Sequence, residues 1–268
     1  MRILFAGIFA LWAVAGQAAP FDRLMTAMQM DEIVLILAEE GTASALELEE
    51  SMFPGRGGAA WEEEVARIYD VDARRLALRE SMAELLSETD LDPLVAFFES
   101  DRGQRIMTLE VTARRAFIDP AMEEAATENF ADAEDTRPRL YDQISEFTEV
   151  NDLITQNIEG AFRSNVAFAL GAHEAGAFAG MTVDQLVAQM WGGDEMVEAE
   201  IRSWMFAYLM TAYSPLSEAD LDAYIALSRS EEGDALNAAI MGAFDALFTD
   251  ISYDLGTSAG RFMAQQEL

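Results

Sequence analysis

The chain repeats part of itself, and this repeat constrains the fold more than any other sequence feature. Residues 86–103 return as residues 216–233 without a gap. Over the twenty positions that start at Leu86 and Leu216, nine residues are identical. Unrelated segments of average composition would share about one or two. The repeat therefore predicts that one structural unit is used twice.

Hydrophobic spacing indicates that both units are helical. Apolar residues recur three and four positions apart, as in Leu91, Leu94 and Phe98, which is the period of an amphipathic helix. No Asn-Gly or Asp-Gly pair separates two alternating apolar runs, so a β-hairpin is not predicted. The expected fold class is all-α, a tandem duplicated helical bundle with little or no strand. Its two units are a first helical repeat at 19–135 and a second at 136–268.

The repeated residues predict a tight corner between two helices. Ser87 and Asp90 have the spacing of a capping box, with Asp in place of the usual Glu, and Ala96 is predicted to lie on the buried face. Ser100 is placed to cap the next helix, and Gly103 would let the preceding helix approach it closely. The second copy supplies Ser217, Asp220, Ala226, Ser230 and Gly233 for the same roles.

The corner also resembles a known family. Phe97, Phe98, Ser100 and Gly103 are similar to a phrase, F-Y-x-S-x-x-G, of the bacterial exported family called domain of unknown function 2059. In the second copy, Leu and Ser replace the aromatic pair, so this copy is divergent. The resemblance covers about forty residues of each half and the helix around 66–85. It implies a small helical bundle in the cell envelope, present as two tandem copies. The family has no assigned activity, so no catalytic residues carry over.

The N-terminus is predicted to be an export signal. Arg2 is followed by an uncharged apolar run at 3–16, which is too short to span a bilayer. Small residues then precede a cleavage position after Ala18. We therefore expect a cleaved signal peptide at 1–18 and a periplasmic product. No later segment is both long enough and uncharged enough to predict a transmembrane helix.

Composition excludes several chemistries. The chain has no Cys and one His, so a disulfide framework, a zinc–thiolate centre and a thiol nucleophile are excluded. Its 17 Lys and Arg residues against 49 Asp and Glu residues leave a net charge of −32. Nucleic acid and anionic lipid headgroups bind through clustered positive charge, so neither is an expected partner.

Two motifs suggest catalysis but lack its context. Residues 256–260 match G-x-S-x-G, the nucleophile elbow of α/β hydrolases. That motif needs a preceding strand and a later catalytic His, whereas His173 lies far upstream of Ser258. We predict instead a helix break at Gly256 before a short terminal helix. For the lone His173, a loop or core position is expected rather than a ligand role.

Metal binding is a second hypothesis. Met25, Met28 and Met30 are thioethers of the kind that bind Cu(I), although Met also fills cores. The excess of carboxylates suggests calcium, but no segment has EF-hand spacing. Solvated helix faces are the alternative for these carboxylates. The candidates are Asp90 with Asp92, Glu62 to Glu64, and Asp220 with Asp222.

Two further stretches allow alternatives. Gly171, Gly176 and Gly180 suit either a close helix contact or a flexible connection. A second stretch is dense in aromatic residues and Met, and it would be buried between the two halves or would form a partner site. Its residues are Trp191, Trp204, Met205, Phe206, Tyr208, Leu209 and Met210.

The sequence assigns no catalytic, cofactor-binding or metal-ligating residue. We therefore expect a non-enzymatic binding or interaction module of the periplasm, with no cofactor. Its expected partner is an envelope protein of unknown identity or an apolar ligand, and homo-oligomerisation remains open. The alternative is a periplasmic calcium or copper binder. A third hypothesis is a hydrolase built on carboxylates alone.

Overall fold

A computed structural model describes residues 19–136, 138–178, 180–190 and 194–264. Within these ranges the chain forms helices and their connections, with no strand. The predicted all-α class is confirmed, and the predicted signal peptide at 1–18 lies outside the described residues. The helices are α1 (19–27), α2 (Met30–Met52), α3 (Gly58–Ile68), α4 (Val71–Leu85), α5 (Asp92–Phe98), α6 (Asp101–Ala116), α7 (Pro120–Thr136), α8 (Arg139–Val150), α9 (Leu153–Glu174), α10 (Val183–Met190), α11 (Asp194–Tyr213), α12 (Glu218–Ser228) and α13 (Glu231–Ala264).

Two large hydrophobic clusters fill the interior, and both halves of the sequence contribute to each. The first core lies among α1, α2, α4 and α5, and it includes Leu236 and Ala243 from the distant α13. The second core joins α6, α7 and α8 to α11 and α12, with Phe130 packed near Phe206. The two predicted repeats therefore interlock, and their boundary stays a prediction. Of the described helices, none is long and apolar enough to cross a membrane.

Helices α9 and α13 run side by side in close contact. A Cβ added to Gly256 would lie 2.1 Å from the carbonyl oxygen of Phe168, and one on Gly260 would lie 2.7 Å from that of Ala172. Small residues are required where two backbones approach so closely. Gly171 takes part in this contact, which confirms one of its two predicted roles. The predicted helix break at Gly256 is wrong, because α13 continues unbroken through this contact.

The two corners have the same capping geometry. Ser100 Oγ accepts a hydrogen bond from the N–H of Gly103 at 3.1 Å, and Ser230 Oγ accepts one from Gly233 at 3.0 Å. Each hydroxyl donates to the backbone carbonyl three residues earlier, at 2.6 and 2.7 Å. A Cβ on either glycine would lie only 2.2 or 1.9 Å from that same carbonyl oxygen. The predicted Ser cap and Gly approach are thus confirmed in both copies.

The starts of the two corners differ. Ser217 caps α12 by accepting from the N–H of Asp220 at 3.2 Å, and its hydroxyl donates to the Asp220 carboxylate at 2.7 Å. The predicted cap at Ser87 is wrong. Helix α5 begins later in the repeat, immediately before Pro93, and its N-cap Leu91 makes no side-chain hydrogen bond.

The buried face of the repeated helix is narrower than predicted. Leu91, Leu94 and Phe98 are buried, as their spacing indicates. Ala96 and its counterpart Ala226 are exposed, so their predicted burial is wrong. Successive helical residues are rotated by about 100°, which places Ala96 well away from the row that begins at Leu91.

The stretch rich in aromatic residues and Met is packed inside the second core. Met205, Phe206 and Leu209 are buried, and the Trp204 ring stacks on that of Tyr208 at 5.5 Å. Trp191, the remaining aromatic residue of this stretch, lies outside the described residues. The structure thus gives this stretch a packing role and leaves it no broad exposed face.

Candidate functional site

A cavity of about 500 Å³ opens between α2, α9, α10 and α13. The wall from α2 is formed by residues three and four positions apart, which places them on one helix face. Most of the lining surface is apolar, although half of the lining residues are polar, and these carry hydroxyl, phenol or amide groups without charge. The lining residues are Ser44, Ala45, Leu48, Ser51, Met52, Tyr69, Ser164, Asn165, Phe168, Phe178, Leu186, Gln189, Ser252 and Leu255.

An aromatic cluster supports the α2 wall. Phe53 and Trp61 are fully buried, with their rings in edge contact at 5.0 Å. The Phe262 ring of α13 stacks on Phe53 at 5.4 Å. The indole N–H of Trp61 donates to the carbonyl of Ala45 at 2.9 Å. This bond ties α3 to the helix that lines the cavity, so the wall is held in place without a ligand.

Tyr69 forms another part of the wall. Its ring lies against Gly41 of α2, where an added Cβ would lie 2.1 Å from a ring carbon. Burial raises the pKa of the Tyr69 phenol to about 12, although the charge of nearby Arg74 acts to lower it. The phenol is therefore protonated near neutral pH, and this wall carries no charge.

Three polar side chains of the cavity lining have no hydrogen-bond partner among the described residues. They are those of Ser164, Asn165 and Ser252, and all three residues are partly buried. Ser51, by contrast, donates its hydroxyl to the carbonyl of Leu48 at 3.0 Å. The first three side chains can therefore donate to or accept from a bound molecule.

The connection between α9 and α10 closes one side of the cavity. Gly176 and Gly180 have φ values of 95° and 97°, a region that glycine adopts easily. Phe178 lines the cavity and has a φ of 58°, which strains a residue with a side chain. Leu186 and Val187 then pack α10 onto α9. The second role predicted for these glycines, in a connection, is thus confirmed as well.

The two motifs that suggested catalysis are not brought together. Ser258 is 2% exposed, lies within α13 and hydrogen-bonds to Glu64 Oε2 at 3.1 Å. His173 is exposed in the last turn of α9. Neither a strand nor a neighbouring His activates Ser258, so this segment has no nucleophile elbow.

Several of the proposed metal ligands are engaged in other contacts. Met25, Met28 and Met30 all lie in the buried first core, where they pack among aliphatic side chains. Asp220 accepts a hydrogen bond from Arg102, and Asp222 is paired with Arg139. Across the described part of the chain, no group of three or more His, Cys, Asp or Glu residues could hold a metal ion.

The carboxyl group of Glu110, a partly buried residue between α6, α11 and α12, was not predicted. Tyr213 donates its hydroxyl to Glu110 Oε1 at 2.7 Å, and Tyr208 donates to the Glu110 backbone carbonyl at 3.1 Å. Burial raises the pKa of Glu110 to about 7, although hydrogen bonds from Tyr213 and Tyr224 act to lower it.

One comparison with known proteins identifies part of the chain. Residues 77–132 match the family described as "Uncharacterized protein conserved in bacteria (DUF2059)". This match confirms the resemblance for the first copy, and the second copy remains a prediction. No curated protein and no solved structure matches the chain.

The matched segment and the cavity do not share residues. The match runs from α4 to α7 and contains the first corner and Glu110. Every residue that lines the cavity lies outside 77–132. The family match therefore describes the scaffold on one side of the molecule and gives no information about the cavity.

Proposed function

We propose that this protein is an exported, non-enzymatic binding protein that holds an apolar ligand in the cavity between α2, α9, α10 and α13. The observation that carries the proposal is the cavity of about 500 Å³, whose described lining has no charged residue in a chain of net charge −32. Its export to the periplasm rests on the signal-like residues at 1–18.

The size and chemistry of the cavity suit a small molecule. Ligand sites typically enclose about 300–1,000 Å³ and combine apolar walls with a few polar groups. Leu48, Phe168 and Leu255 supply such walls. Each methylene of a ligand that leaves water for an apolar site contributes about 0.8 kcal/mol to the free energy of binding. Because the Phe53 and Trp61 cluster already holds the walls in place, little of this free energy is spent on fixing their conformation when a ligand binds.

The other hypotheses lack a supporting arrangement in the described residues. A protein partner was suggested by the aromatic stretch around Trp204, which is packed in the second core. Metal binding was suggested by Met side chains, which are buried in the first core, and by carboxylates, of which Asp220 and Asp222 are paired with Arg. The cavity is the feature that packing within the protein leaves unexplained.

The test is a titration of the purified mature chain with Nile red, an uncharged dye whose emission rises in apolar surroundings. Ser252→Phe places an aromatic ring in the cavity, and Ser81→Phe makes the same change on α4, away from it. Both serines are partly buried, so we expect the two substitutions to lower the free energy of unfolding by similar amounts.

We expect the native chain to bind the dye in a saturable way. Ser252→Phe should weaken binding about tenfold or more, because the ring occupies the ligand volume. Ser81→Phe should leave binding unchanged, and thermal unfolding of each variant checks that it is folded. Non-saturable binding, or equal binding by both variants, would refute the proposed site.

A further inference from the structure

Three polar groups of the cavity lie on two neighbouring helices. Ser164 and Asn165 belong to α9, and Ser252 belongs to α13. The close contacts of Gly256 with Phe168 and of Gly260 with Ala172 show that the two helices run parallel. Continuing the same offset towards the N-termini brings Ser252 opposite Ser164, so the hydroxyls share one region.

Two cations next to lining residues of the cavity are paired with carboxylates. Arg163 precedes Ser164, but its guanidinium contacts Asp245 at 2.7 Å and Glu159 at 3.2 Å. Arg74 lies near Tyr69, where it donates to a backbone carbonyl at 2.6 Å and contacts Asp254 at 3.7 Å. A ligand anion entering the cavity would therefore lose its hydration without gaining a countercharge.

We infer that the ligand is an uncharged amphiphile, a molecule with a hydrocarbon part and a hydroxyl, ester or amide group. The hydrocarbon part contacts Leu48, Phe168 and Leu255. The polar group exchanges hydrogen bonds with Ser164, Asn165 and Ser252, whose donors and acceptors are neutral. This inference rests on the proposed function and names the chemical class that the proposed site takes.

Because its lining is uncharged, the cavity should bind an alcohol more tightly than the acid of the same length. An ionised carboxylate without a partner is costly to bury, whereas a hydroxyl that finds a hydrogen bond is not. Both molecules have ten carbons, and 1-decanol has one more methylene outside its polar group, which accounts for only about fourfold in affinity. A larger difference therefore reports the effect of charge. Both are tested as competitors of Nile red at pH 8, where decanoate is ionised.

We expect 1-decanol to displace the dye at a concentration about tenfold or more below that of decanoate. Asn165→Leu should weaken binding of 1-decanol about threefold to tenfold, as expected for one lost hydrogen bond, and thermal unfolding checks that the variant is folded. Asn157→Leu is the matched control, because it makes the same change on α9 at a residue that does not line the cavity. It should leave binding of both ligands unchanged.

The outcomes separate the two proposals. If the native chain does not bind Nile red, the proposed function itself fails. If Nile red binds and decanoate competes as well as 1-decanol, the uncharged class is wrong while the binding site stands. If Asn165→Leu and Asn157→Leu have equal effects on binding of 1-decanol, the polar recognition is wrong.

Discussion

The two corners of the molecule share a turn but differ in how the chain enters it. In both, a Ser hydroxyl caps the second helix and a Gly three residues later lies against the carbonyl that ends the first. The first helix of the second corner, however, begins at Glu218. In the first corner this helix begins at Asp92, which is four positions later in the repeat than the residue that corresponds to Glu218. The shared turn depends on local residues, whereas the length of the entering helix depends on its surroundings.

Proline explains much of this difference. If α5 began at Glu88, as α12 begins at Glu218, then Pro93 would be its sixth residue. Proline there lacks the N–H that the helix needs and clashes with the preceding turn. Starting at Asp92 places Pro93 in the first turn, where no N–H is needed. The corresponding residue in α12 is Ala223, which imposes no such limit.

The helices that follow the two corners also differ where the corners meet. The Phe97 ring of the first corner stacks on the Tyr224 ring of the second at 5.8 Å. Beside them α6 carries Glu110, and the corresponding position of α13 holds Ile240. One copy thus supplies a carboxyl group where the other supplies an aliphatic one. This asymmetry gives the interface a titratable group that the shared sequence does not contain.

The largest expected effect comes from the feature that the corners share. Gly103→Ala and Gly233→Ala should each lower the free energy of unfolding by about 3 kcal/mol, because the new methyl group meets a backbone carbonyl that cannot move alone. Urea unfolding measures both. Gly160→Ala is the matched control, since its Cβ would lie 3.5 Å from the nearest atom, an Asp245 carboxylate oxygen.

The control should be neutral or stabilising by up to about 1 kcal/mol, which is the usual gain from Ala in a helix. A loss of 3 kcal/mol in one corner and none in the other would show that the turns are not equivalent. Losses as small as that of Gly160→Ala in both would contradict the close helix approach.

The next effect sharpens the difference between the corners through pH. Burial raises the pKa of Glu110 from its ordinary 4.5 to about 7. Between these values the folded chain retains a proton that the unfolded chain has lost, so the contribution of Glu110 to stability is fully present below pH 4.5 and is lost as pH rises through 7. The expected loss is roughly 2–3 kcal/mol. Glu110→Gln removes this pH-dependent loss of stability, because the Gln amide does not ionise.

Other groups near Glu110 define how the pH effect is measured. Tyr208, Tyr213 and Tyr224 have pKa values raised well above 10 by burial, so they stay neutral in this range. The nearby Glu40, paired with Arg114, also has a pKa raised by burial and titrates in both proteins. The quantity to compare is therefore the difference in unfolding free energy between native chain and Glu110→Gln from pH 4.5 to 7.5. A difference that does not change with pH would contradict the buried position of this carboxyl group.

Residues with a local role could be predicted from the sequence. The caps at Ser100 and Ser230 and the close approach at Gly103 and Gly233 depend on residues within one turn, and all were found correctly. The break at Gly256 failed because Gly permits both a helix end and a close contact. Only the position of α9 decides between these two structures.

The candidate site could not be predicted because distant segments form it. Its walls come from Leu48, Phe168, Leu186 and Leu255, which lie on four different helices. Each of these residues fits the ordinary pattern of a helix that packs in a core. A cavity is the space that such helices leave between them, and sequence spacing describes only one helix at a time. The environment of Glu110 could not be predicted for the same reason, since its tyrosine partners are about a hundred residues away in the sequence.

The smallest expected effect separates the two corner entrances directly. Ser217→Ala removes the hydroxyl that accepts from the Asp220 N–H and should lower the free energy of unfolding by about 1 kcal/mol. Ser87→Ala changes the equivalent residue of the repeat, which is equally exposed but caps no helix, and should stay within about 0.5 kcal/mol of the native chain. Ser87→Ala measured in the Pro93→Ala background then tests the cause. If Pro93 alone delays α5, its removal lets the helix start earlier, and Ser87→Ala then costs about 1 kcal/mol of unfolding free energy, as Ser217→Ala does. Equal losses from Ser217→Ala and Ser87→Ala in the presence of Pro93 would contradict this account of the entrances.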